Sequence, residues 1–283
     1  MAIQPIELAD GVHLGGEQPV LICGPCLIEG RDMALRVAET AKELAEKHGF
    51  QYVFKGSFDK ANRTHLNSPR TIGHEKALAI LEEIRVSLSI PTLTDVHDVT
   101  QVERVAQAVD VIQIPAFLCR QTDLLVAAGS SGRAVNVKRG QFLPAEDMEY
   151  ALEKVRSGGT QRVYSTERGT TFGVRDLVVD FRALIQLRQT APVVYDVTHS
   201  VQRPGARGGL TGGTREYAAA LGRAAGAVGV DGFYVEAHPD PEWALSDAAV
   251  MIPLTGLGLV LKGLRASWEV GIQFREDINW SSR

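Results

Sequence analysis

Five basic residues stand at or shortly after short apolar runs of the sequence, and their chemistry suits an anion. They are Lys55, Lys60, Arg63, Lys138 and Arg168. The chain as a whole is mildly acidic, with 30 Lys and Arg against 34 Asp and Glu and a formal net charge of −4. Basic residues that converge at one place in an acidic chain suit a small polyanion, such as one or two phosphates together with a carboxylate. For any one of them taken alone, a solvated surface position is the alternative.

A thiol, an imidazole and two carboxylates form a second group that could do chemistry. Cys26, His199 and Glu236 lie at or near the ends of apolar runs, and Asp247 falls in the loop after the last run. Sulfur, nitrogen and oxygen donors of these types suit a divalent transition metal such as Zn²⁺, Fe²⁺ or Mn²⁺. The four residues are far apart along the chain, so their spacing alone does not identify a metal site. A small buried apolar role is the alternative for Cys26.

The elements that must position these residues alternate between short apolar runs and longer segments with helical periodicity. The apolar runs predict strands at 19–23, 52–54, 91–96, 111–114, 134–137, 163–165, 193–197 and 233–235. The spacing of apolar residues predicts helices near 32–48, 75–88, 100–108, 122–128, 145–156, 176–188, 214–228 and 254–266. Strands that are apolar on both faces, each followed by a helix, indicate a buried parallel sheet. About eight such units predict an α/β fold of the (β/α)₈ TIM-barrel type, with an open doubly wound sheet as the alternative.

In a barrel of this kind the active site lies at the carboxyl ends of the strands. That rule brings the basic residues to one mouth and adds further polar residues to it. Closure of the first strand against the eighth would also place Cys26 beside His199 and Glu236. The additional polar residues are Ser57, Asn62, Asp95, Gln113, Asn136 and Asp196.

Outside the strand–helix units, the sequence predicts a small N-terminal β-hairpin within about residues 1–15, with Gly11 in its turn. The glycine-rich stretch 205–213 lacks the spacing of a nucleotide-binding loop and predicts a mobile loop over the mouth. The tail from about 267 to 283 shows no periodicity and receives no role. Because no repeat or linker interrupts the chain, we expect residues 1–283 to form one domain.

Composition and charge exclude several classes of protein. The chain has no basic surplus, which argues against a nucleic-acid partner. No apolar run approaches the roughly 20 residues that span a bilayer, and the N-terminus lacks the pattern of a signal peptide. The three cysteines, Cys23, Cys26 and Cys119, fit reduced thiols better than a disulfide framework. We therefore expect a cytoplasmic protein that binds small molecules and has no membrane partner.

Several segments of the chain resemble the 3-deoxy-D-manno-octulosonate 8-phosphate synthase family. They read FKGSFDKANRT at 54–64, QIPAFLCRQTDL at 113–124, NVK at 136–138, DVTHSVQ at 196–202 and EAHPDPE at 236–242. The resemblance extends over about residues 21–266. The KANR and PAFLCRQTDL segments are specific, because they distinguish this family from the related 3-deoxy-heptulosonate 7-phosphate synthases, which use erythrose 4-phosphate.

The resemblance implies a homotetramer of (β/α)₈ barrels that condenses phosphoenolpyruvate with D-arabinose 5-phosphate and water. The products would be 3-deoxy-D-manno-octulosonate 8-phosphate and inorganic phosphate, a step in lipopolysaccharide biosynthesis. By resemblance, the residues for phosphoenolpyruvate are Lys55, Ser57, Lys60, Gln113, the Ala116 backbone, Lys138 and Arg168. Those for arabinose 5-phosphate are Asn62, Arg63 and Thr64 at the distal phosphate, with help across a subunit interface, and Asp95 at the sugar hydroxyls. The candidate catalytic residues are Lys60, Asp95, Lys138 and His199.

The same resemblance indicates the metal-dependent class of the family. Members that work without a metal carry asparagine where this chain has Cys26, and the QRPG stretch at 202–205 agrees with the metal-dependent class. The implied ligands of a divalent Fe²⁺, Zn²⁺ or Mn²⁺ ion are Cys26, His199, Glu236 and Asp247. Two positions depart mildly from the family, Gly56 where alanine is common and Thr64 where serine is common.

Three alternatives stay open on the sequence alone. The chain could use a different aldehyde, such as erythrose 4-phosphate. It could form the same product without a metal. From another class of protein, it could be a non-catalytic barrel that binds sugar phosphates, because a fold does not dictate a function.

Overall fold

The computed structural model describes residues 3–9, 11–63, 65–173, 176–207 and 210–275. The strands in this part of the chain are β1 (Ile6–Ala9), β2 (Val12–Leu14), β3 (Val20–Gly24), β4 (Gln51–Lys55), β5 (Thr92–Asp95), β6 (Val111–Ile114), β7 (Ala134–Lys138), β8 (Val163–Glu167), β9 (Thr170–Thr171), β10 (Leu177–Val178), β11 (Val193–Asp196), β12 (Gln202–Arg207), β13 (Leu210–Gly213), β14 (Gly232–His238) and β15 (Ile252–Pro253). The helices are α1 (Arg31–Lys47), α2 (His74–Leu88), α3 (Val99–Ala108), α4 (Thr122–Ser130), α5 (Met148–Ser157), α6 (Phe181–Leu187), α7 (Ala218–Val228) and α8 (Leu254–Phe274).

Within the described ranges, eight parallel strands close into a barrel. The order is β3, β4, β5, β6, β7, β8, β11 and β14, and β14 pairs with both β3 and β11 to complete the ring. These strands are rich in β-branched residues and buried on both faces, which is what a sheet surrounded by helices requires. The fold predicted from the sequence, a (β/α)₈ TIM barrel, is therefore confirmed.

The predicted N-terminal hairpin is present and packs against residues of the barrel strands. β1 and β2 pair in antiparallel fashion. Leu8 and Leu14 are both buried and belong to one apolar cluster with barrel residues such as Val20, Val53 and Val194. The hairpin thus shields apolar side chains contributed by several barrel strands from water.

The helices cover the barrel with their apolar faces. In α1, small residues at helical spacing face inward, namely Ala34, Val37, Ala38, Ala41 and Ala45. Side-chain caps fix the start of two of the helices: Asp98 accepts from the Thr100 amide before α3, and Asp180 accepts from the Arg182 amide before α6. None of the helices in the described part of the chain is long and apolar enough to cross a membrane.

Besides shifts of a few residues at the ends of other elements, three differences from the sequence prediction stand out. α6 begins at Phe181 rather than at 176, because Leu177 and Val178 pair with Thr171 and Thr170. The stretch predicted as a mobile loop contributes to an antiparallel pair, β12 with β13, although residues 208 and 209 lie outside the described ranges. α8 extends eight residues beyond the predicted end.

That extension of α8 has a packing reason. Trp268 is buried, and its Nε1 donates a hydrogen bond to the Val230 carbonyl at 2.8 Å. Gly271 lies directly against the Gly226 carbonyl of α7, where a Cβ would come within 2.1 Å of that oxygen. The first part of the predicted tail therefore belongs to the helical layer.

Candidate active site

The carboxyl ends of the barrel strands carry a dense group of buried polar residues. Lys55 ends β4, Asp95 ends β5, Lys138 ends β7 and Asp196 ends β11, while Glu236 lies near the end of β14. All five are buried. Charged groups are rarely buried unless they are paired, so a cluster of five buried charged residues indicates a candidate active site.

Close backbone packing places Lys55 in this group. Gly24 ends the neighbouring strand β3, and a Cβ at that position would lie 1.8 Å from the Lys55 carbonyl oxygen. The Lys55 ammonium then donates to Glu236 Oε1 at 2.7 Å and to the Cys26 carbonyl at 2.8 Å. A glycine at the end of β3 is therefore needed for the adjacent lysine to reach the centre of the mouth.

The sulfur and carboxylate donors predicted as metal ligands come together. Donor atoms of Cys26, Glu236 and Asp247 all lie within 4.8 Å of one another, and Cys26 Sγ is 3.1 Å from Asp247 Oδ2. His199 Nε2 lies 3.4 Å from Glu236 Oε2 and 3.7 Å from Asp247 Oδ2. These residues could therefore hold a metal ion.

Asp196 fixes the imidazole of His199. Its Oδ2 lies 2.7 Å from His199 Nδ1, and its Oδ1 accepts from the His199 amide at 2.8 Å. A proton on Nδ1, held by this carboxylate, leaves the Nε2 lone pair free on the side of Glu236 and Asp247. A histidine that donates through one ring nitrogen to a carboxylate and binds through the other is the usual arrangement of a metal-binding histidine.

An unpartnered oxygen of Glu236 is a second observation that fits a divalent cation at this donor group. Glu236 Oε2 is buried and has no hydrogen-bond partner among the described residues, which would be costly without a positive charge nearby. Burial alone would raise the pKa of Glu236, but neighbouring positive charges, those of Lys55 and Lys60 among them, lower it below its usual value, so this carboxylate is ionised. Burial and the Glu236 charge raise the pKa of the Cys26 thiol, so that a bound cation is what would convert it to the thiolate.

Two other basic residues of the mouth, Lys138 and Arg168, are buried and have polar partners, whereas Lys60 is half-buried. Lys138 donates to Asp196 at 2.6 Å and lies 3.8 Å above the centre of the Tyr234 ring. Burial lowers the pKa of Lys138 although Asp196 acts in the opposite direction. Burial would also lower the pKa of Lys60, but the acidic residues around it, Asp95 and Glu236 among them, raise it.

Arg168 and its neighbours complete this part of the mouth. Arg168 is buried, and its Nη2 donates to Gln202 Oε1 at 2.6 Å, while Nη1 has no hydrogen-bond partner in the described part of the chain. Gln113 accepts from Asn136 at 3.0 Å. Ser57 is fully buried, and Ala116 begins a short 3₁₀ turn directly after β6.

Asp95 presents one oxygen that is not engaged. Its Oδ2 lies 3.0 Å from His97 Nε2, whereas Oδ1 is buried without a hydrogen-bond partner among the residues described. Burial alone would raise the pKa of Asp95, but the hydrogen bond from His97 and the Lys60 charge lower it well below its usual range. The carboxylate is therefore ionised and has an oxygen available for a ligand hydroxyl.

The residues predicted for the distal phosphate lie at the rim. Asn62 is exposed. Arg63 donates to Ser246 Oγ at 2.8 Å and to the Leu245 carbonyl at 2.5 Å, which places it beside the loop that carries Asp247. Thr64 lies outside the described residues.

The sequence alone assigns no role to three residues that contribute to this site. Asp196 stands out in the sequence only as a strand-end residue, yet it contacts both Lys138 and His199. Tyr234 reads as a core position of a strand, but its ring lies against Lys138. Gln202 entered only as part of the QRPG stretch. Asp196 could have been found from its position three residues before His199, whereas Tyr234 and Gln202 carry no such signal.

The fold and the site together define a (β/α)₈ barrel with buried charged residues and a possible metal-binding group at the carboxyl ends of its strands, and comparison with known proteins gives its class. The model of the DAHP synthetase I family matches residues 4–269, and the chain belongs to this family. A 2-dehydro-3-deoxyphosphooctonate aldolase of Rhodopseudomonas palustris (strain BisB5) is 52% identical over 267 residues, 93% of each chain.

Relatives of the same name occur in other organisms. The protein of Methylobacterium radiotolerans is 53% identical over 249 residues, which cover 87% of this chain and 88% of the relative. The protein of Syntrophotalea carbinolica is 50% identical over 263 residues, or 92% and 95% of the two chains. The similarity therefore extends over almost the whole barrel.

Proposed function

We propose that the chain condenses phosphoenolpyruvate with D-arabinose 5-phosphate and water. The products are 3-deoxy-D-manno-octulosonate 8-phosphate and inorganic phosphate, and the reaction serves lipopolysaccharide biosynthesis. The observation that carries this proposal is the placement of buried cations and a metal-binding donor group at one barrel mouth, with Lys55 joined to Glu236 at 2.7 Å. The name shared by relatives about 50% identical over more than 90% of the chain supports the same reaction.

The basic residues bind phosphoenolpyruvate in this proposal. Lys60, Lys138 and Arg168 hold its phosphate and carboxylate, and Arg168 has an unengaged Nη1 available as a donor. Lys55, Ser57, Gln113 and the Ala116 backbone complete that subsite. Two anionic substrates repel each other, and cations fixed before they bind offset this repulsion without further reorganisation.

Asn62, Arg63 and Thr64 bind the distal phosphate of arabinose 5-phosphate, and Asp95 receives its hydroxyls through the free Oδ1. The enol C3 of phosphoenolpyruvate then attacks the aldehyde carbon, and positive charge develops at C2. Water adds at C2 and gives up one proton, and the aldehyde oxygen gains a proton to become a hydroxyl. The hemiketal phosphate formed at C2 then loses its hydroxyl proton as the C2 ketone forms, and phosphate leaves by cleavage of the C–O bond. In this proposal, Asp95 moves protons during these steps.

Cys26, His199, Glu236 and Asp247 hold a divalent transition metal, either Fe²⁺, Zn²⁺ or Mn²⁺, in this proposal. When bound, such an ion supplies a Lewis acid that orients water or polarises the aldehyde. Other residues of the chain orient two of these ligands: Asp196 orients the imidazole of His199, and the Lys55 ammonium holds one oxygen of Glu236.

We also propose a cytoplasmic homotetramer. The support for association is a set of exposed aromatic residues after neighbouring strands, Phe117, Phe142 and Phe172, each more than half exposed. In this proposal these residues lie together in the interface between copies of the chain. All three cysteines, which lie within the described residues, are free and buried, as a reducing compartment allows.

The reaction is tested by following the loss of phosphoenolpyruvate with either arabinose 5-phosphate or erythrose 4-phosphate. We expect turnover with the five-carbon sugar, loss of that turnover after chelation, and its return with Mn²⁺ or Fe²⁺. Turnover only with erythrose 4-phosphate would contradict the proposed substrate. A rate indifferent to chelation would remove the metal requirement, and tight phosphoenolpyruvate binding without turnover would indicate a binding protein.

A further inference from the structure

Gln202 contacts both Arg168, which binds phosphoenolpyruvate in the proposed function, and Asp247, which binds the metal. Its Oε1 accepts a hydrogen bond from Arg168 Nη2 at 2.6 Å, and its Nε2 donates to Asp247 Oδ1 at 2.9 Å. The side chain is only 7% exposed, so water does not readily replace either partner. One buried amide thus joins an arginine of the phosphoenolpyruvate subsite to a carboxylate of the metal-binding group.

At one end, Gln202 selects which oxygen of Asp247 faces the other donors. Asp247 has a φ of +51°, a backbone conformation that non-glycine residues rarely adopt, so its placement depends on surrounding contacts. With Oδ1 held by Gln202, it is Oδ2 that lies 3.1 Å from Cys26 Sγ and 3.7 Å from His199 Nε2. Partners that orient a ligand in this way commonly change metal affinity about 10- to 100-fold when they are removed.

At the other end, Gln202 anchors one nitrogen of the Arg168 guanidinium. The opposite nitrogen, Nη1, is buried without a hydrogen-bond partner in the part of the chain described, and so is available to an anion. Arginine binds phosphate most strongly when its planar group is held in a fixed orientation. Movement of the amide would therefore change Arg168 and Asp247 together.

We propose that Gln202 is a positioning residue that couples metal binding at Asp247 to phosphoenolpyruvate binding at Arg168. The proposal rests on the proposed function, because it needs both ligands to bind at this mouth. Coupling between two binding sites is reciprocal: the metal must tighten phosphoenolpyruvate binding by the same factor by which phosphoenolpyruvate tightens metal binding.

The test measures binding without turnover, in the absence of any sugar phosphate. Phosphoenolpyruvate affinity is measured by titration calorimetry on metal-free and Mn²⁺-loaded full-length protein, and Mn²⁺ affinity by competition with a chelator, with and without phosphoenolpyruvate. We expect the wild type to show a linkage factor within the usual range of about 5- to 150-fold. In Gln202→Met the factor should fall below about twofold, and Mn²⁺ affinity should fall about 10- to 100-fold.

Two further variants separate positioning from loss of structure. Gln51→Met makes the same chemical change at the other end of the barrel, where Gln51 donates to the His13 and Gln18 carbonyls, and it should keep the wild-type linkage. Gln202→Asn keeps the amide but is one methylene shorter and cannot span both partners. It should fold as the wild type does and still lose the linkage.

A linkage factor in Gln202→Met and Gln202→Asn within twofold of the wild-type value would overturn the proposal. So would a wild-type protein that binds both ligands with no linkage, although the proposed function would survive that result. A wild-type protein that binds neither ligand would remove the proposed function together with this inference.

Discussion

The carboxylate of Asp196 contacts the Lys138 ammonium at 2.6 Å and His199 Nδ1 at 2.7 Å, so one residue orients two groups of the mouth. In Asp196→Asn the amide can no longer favour the proton on Nδ1, and Nε2 loses its role as a donor atom. We expect a 10- to 100-fold loss of metal affinity, by analogy with other residues that orient metal-binding histidines. Chelator competition measures it. Asp98→Asn, on an exposed cap of α3, is the matched control and should bind metal as the wild type does.

Cys26 gives a second prediction at the residue scale. Cys26→Ala removes the sulfur donor that lies 3.1 Å from Asp247, while Cys119→Ala makes the same change at a buried thiol outside the donor group. The first variant should lose metal-dependent turnover by at least about 100-fold, and the second should keep it. Equal rates in the two variants, assayed with added Mn²⁺, would exclude Cys26 as a ligand.

Asp95 gives a prediction about pH. Its pKa in the folded protein lies below the ordinary value of about 4, because the hydrogen bond from His97 and nearby lysine charges outweigh burial. A depressed folded pKa contributes stability that is fully present above the unfolded pKa and is lost as pH falls below it. The free energy of urea unfolding should therefore decrease between about pH 5 and pH 3, with a shallower decrease in Asp95→Asn. Parallel pH profiles for the two proteins would contradict this assignment.

At the scale of the elements, the end of α8 carries a buried tryptophan. Trp268 packs in the core and donates to the Val230 carbonyl, whereas Trp243 is 83% exposed. Trp268→Ala should reduce the free energy of unfolding by about 3–5 kcal/mol because it leaves a cavity. Trp243→Ala should change it by less than about 0.5 kcal/mol. Urea unfolding measures both changes. If Trp268→Ala reduced the free energy of unfolding as little as Trp243→Ala, residues beyond Ala266 would not contribute to the core.

At the scale of the whole molecule, the exposed aromatics of the strand–helix loops predict association. Light scattering should give a mass four times the 30.7 kDa of one chain. Phe142→Ser should shift the population toward smaller species, because it removes apolar area from the proposed interface. Val86→Ser, at an exposed apolar residue of α2, should leave the mass unchanged. A wild-type mass of 30.7 kDa would contradict the tetramer.

The alternation of apolar runs and helical periods predicted a parallel sheet covered by helices, because each strand is buried on both faces and each helix on one. About eight such units favoured a barrel over an open doubly wound sheet, and the pairing of β14 with both β3 and β11 confirms the barrel. The rule that barrel sites lie at strand ends also selected Lys55, Lys138 and Glu236 from the sequence alone. Local patterns of this kind depend only on residues that are close in sequence, so they can be identified without knowledge of the fold. The hairpin of β9 and β10 was missed because each of its strands has only two residues, too few to show an alternating pattern. The last turns of α8 were missed because the partner of Trp268, the Val230 carbonyl, lies 38 residues away along the chain.

Tertiary structure alone decided how the polar groups of the mouth pair. Lys55 is 181 residues from Glu236 along the chain, and Gln202 is 34 and 45 residues from the two groups that it joins. The sequence predicts a positive patch, but closure of the barrel removes Lys55, Lys138 and Arg168 from water, and an unpaired buried charge is costly, so each of the three has a polar partner. The residue types in the sequence determined which chemistry the chain can do. The closed fold determined which polar side chains of the mouth pair with one another, because it brings together residues that are distant in sequence.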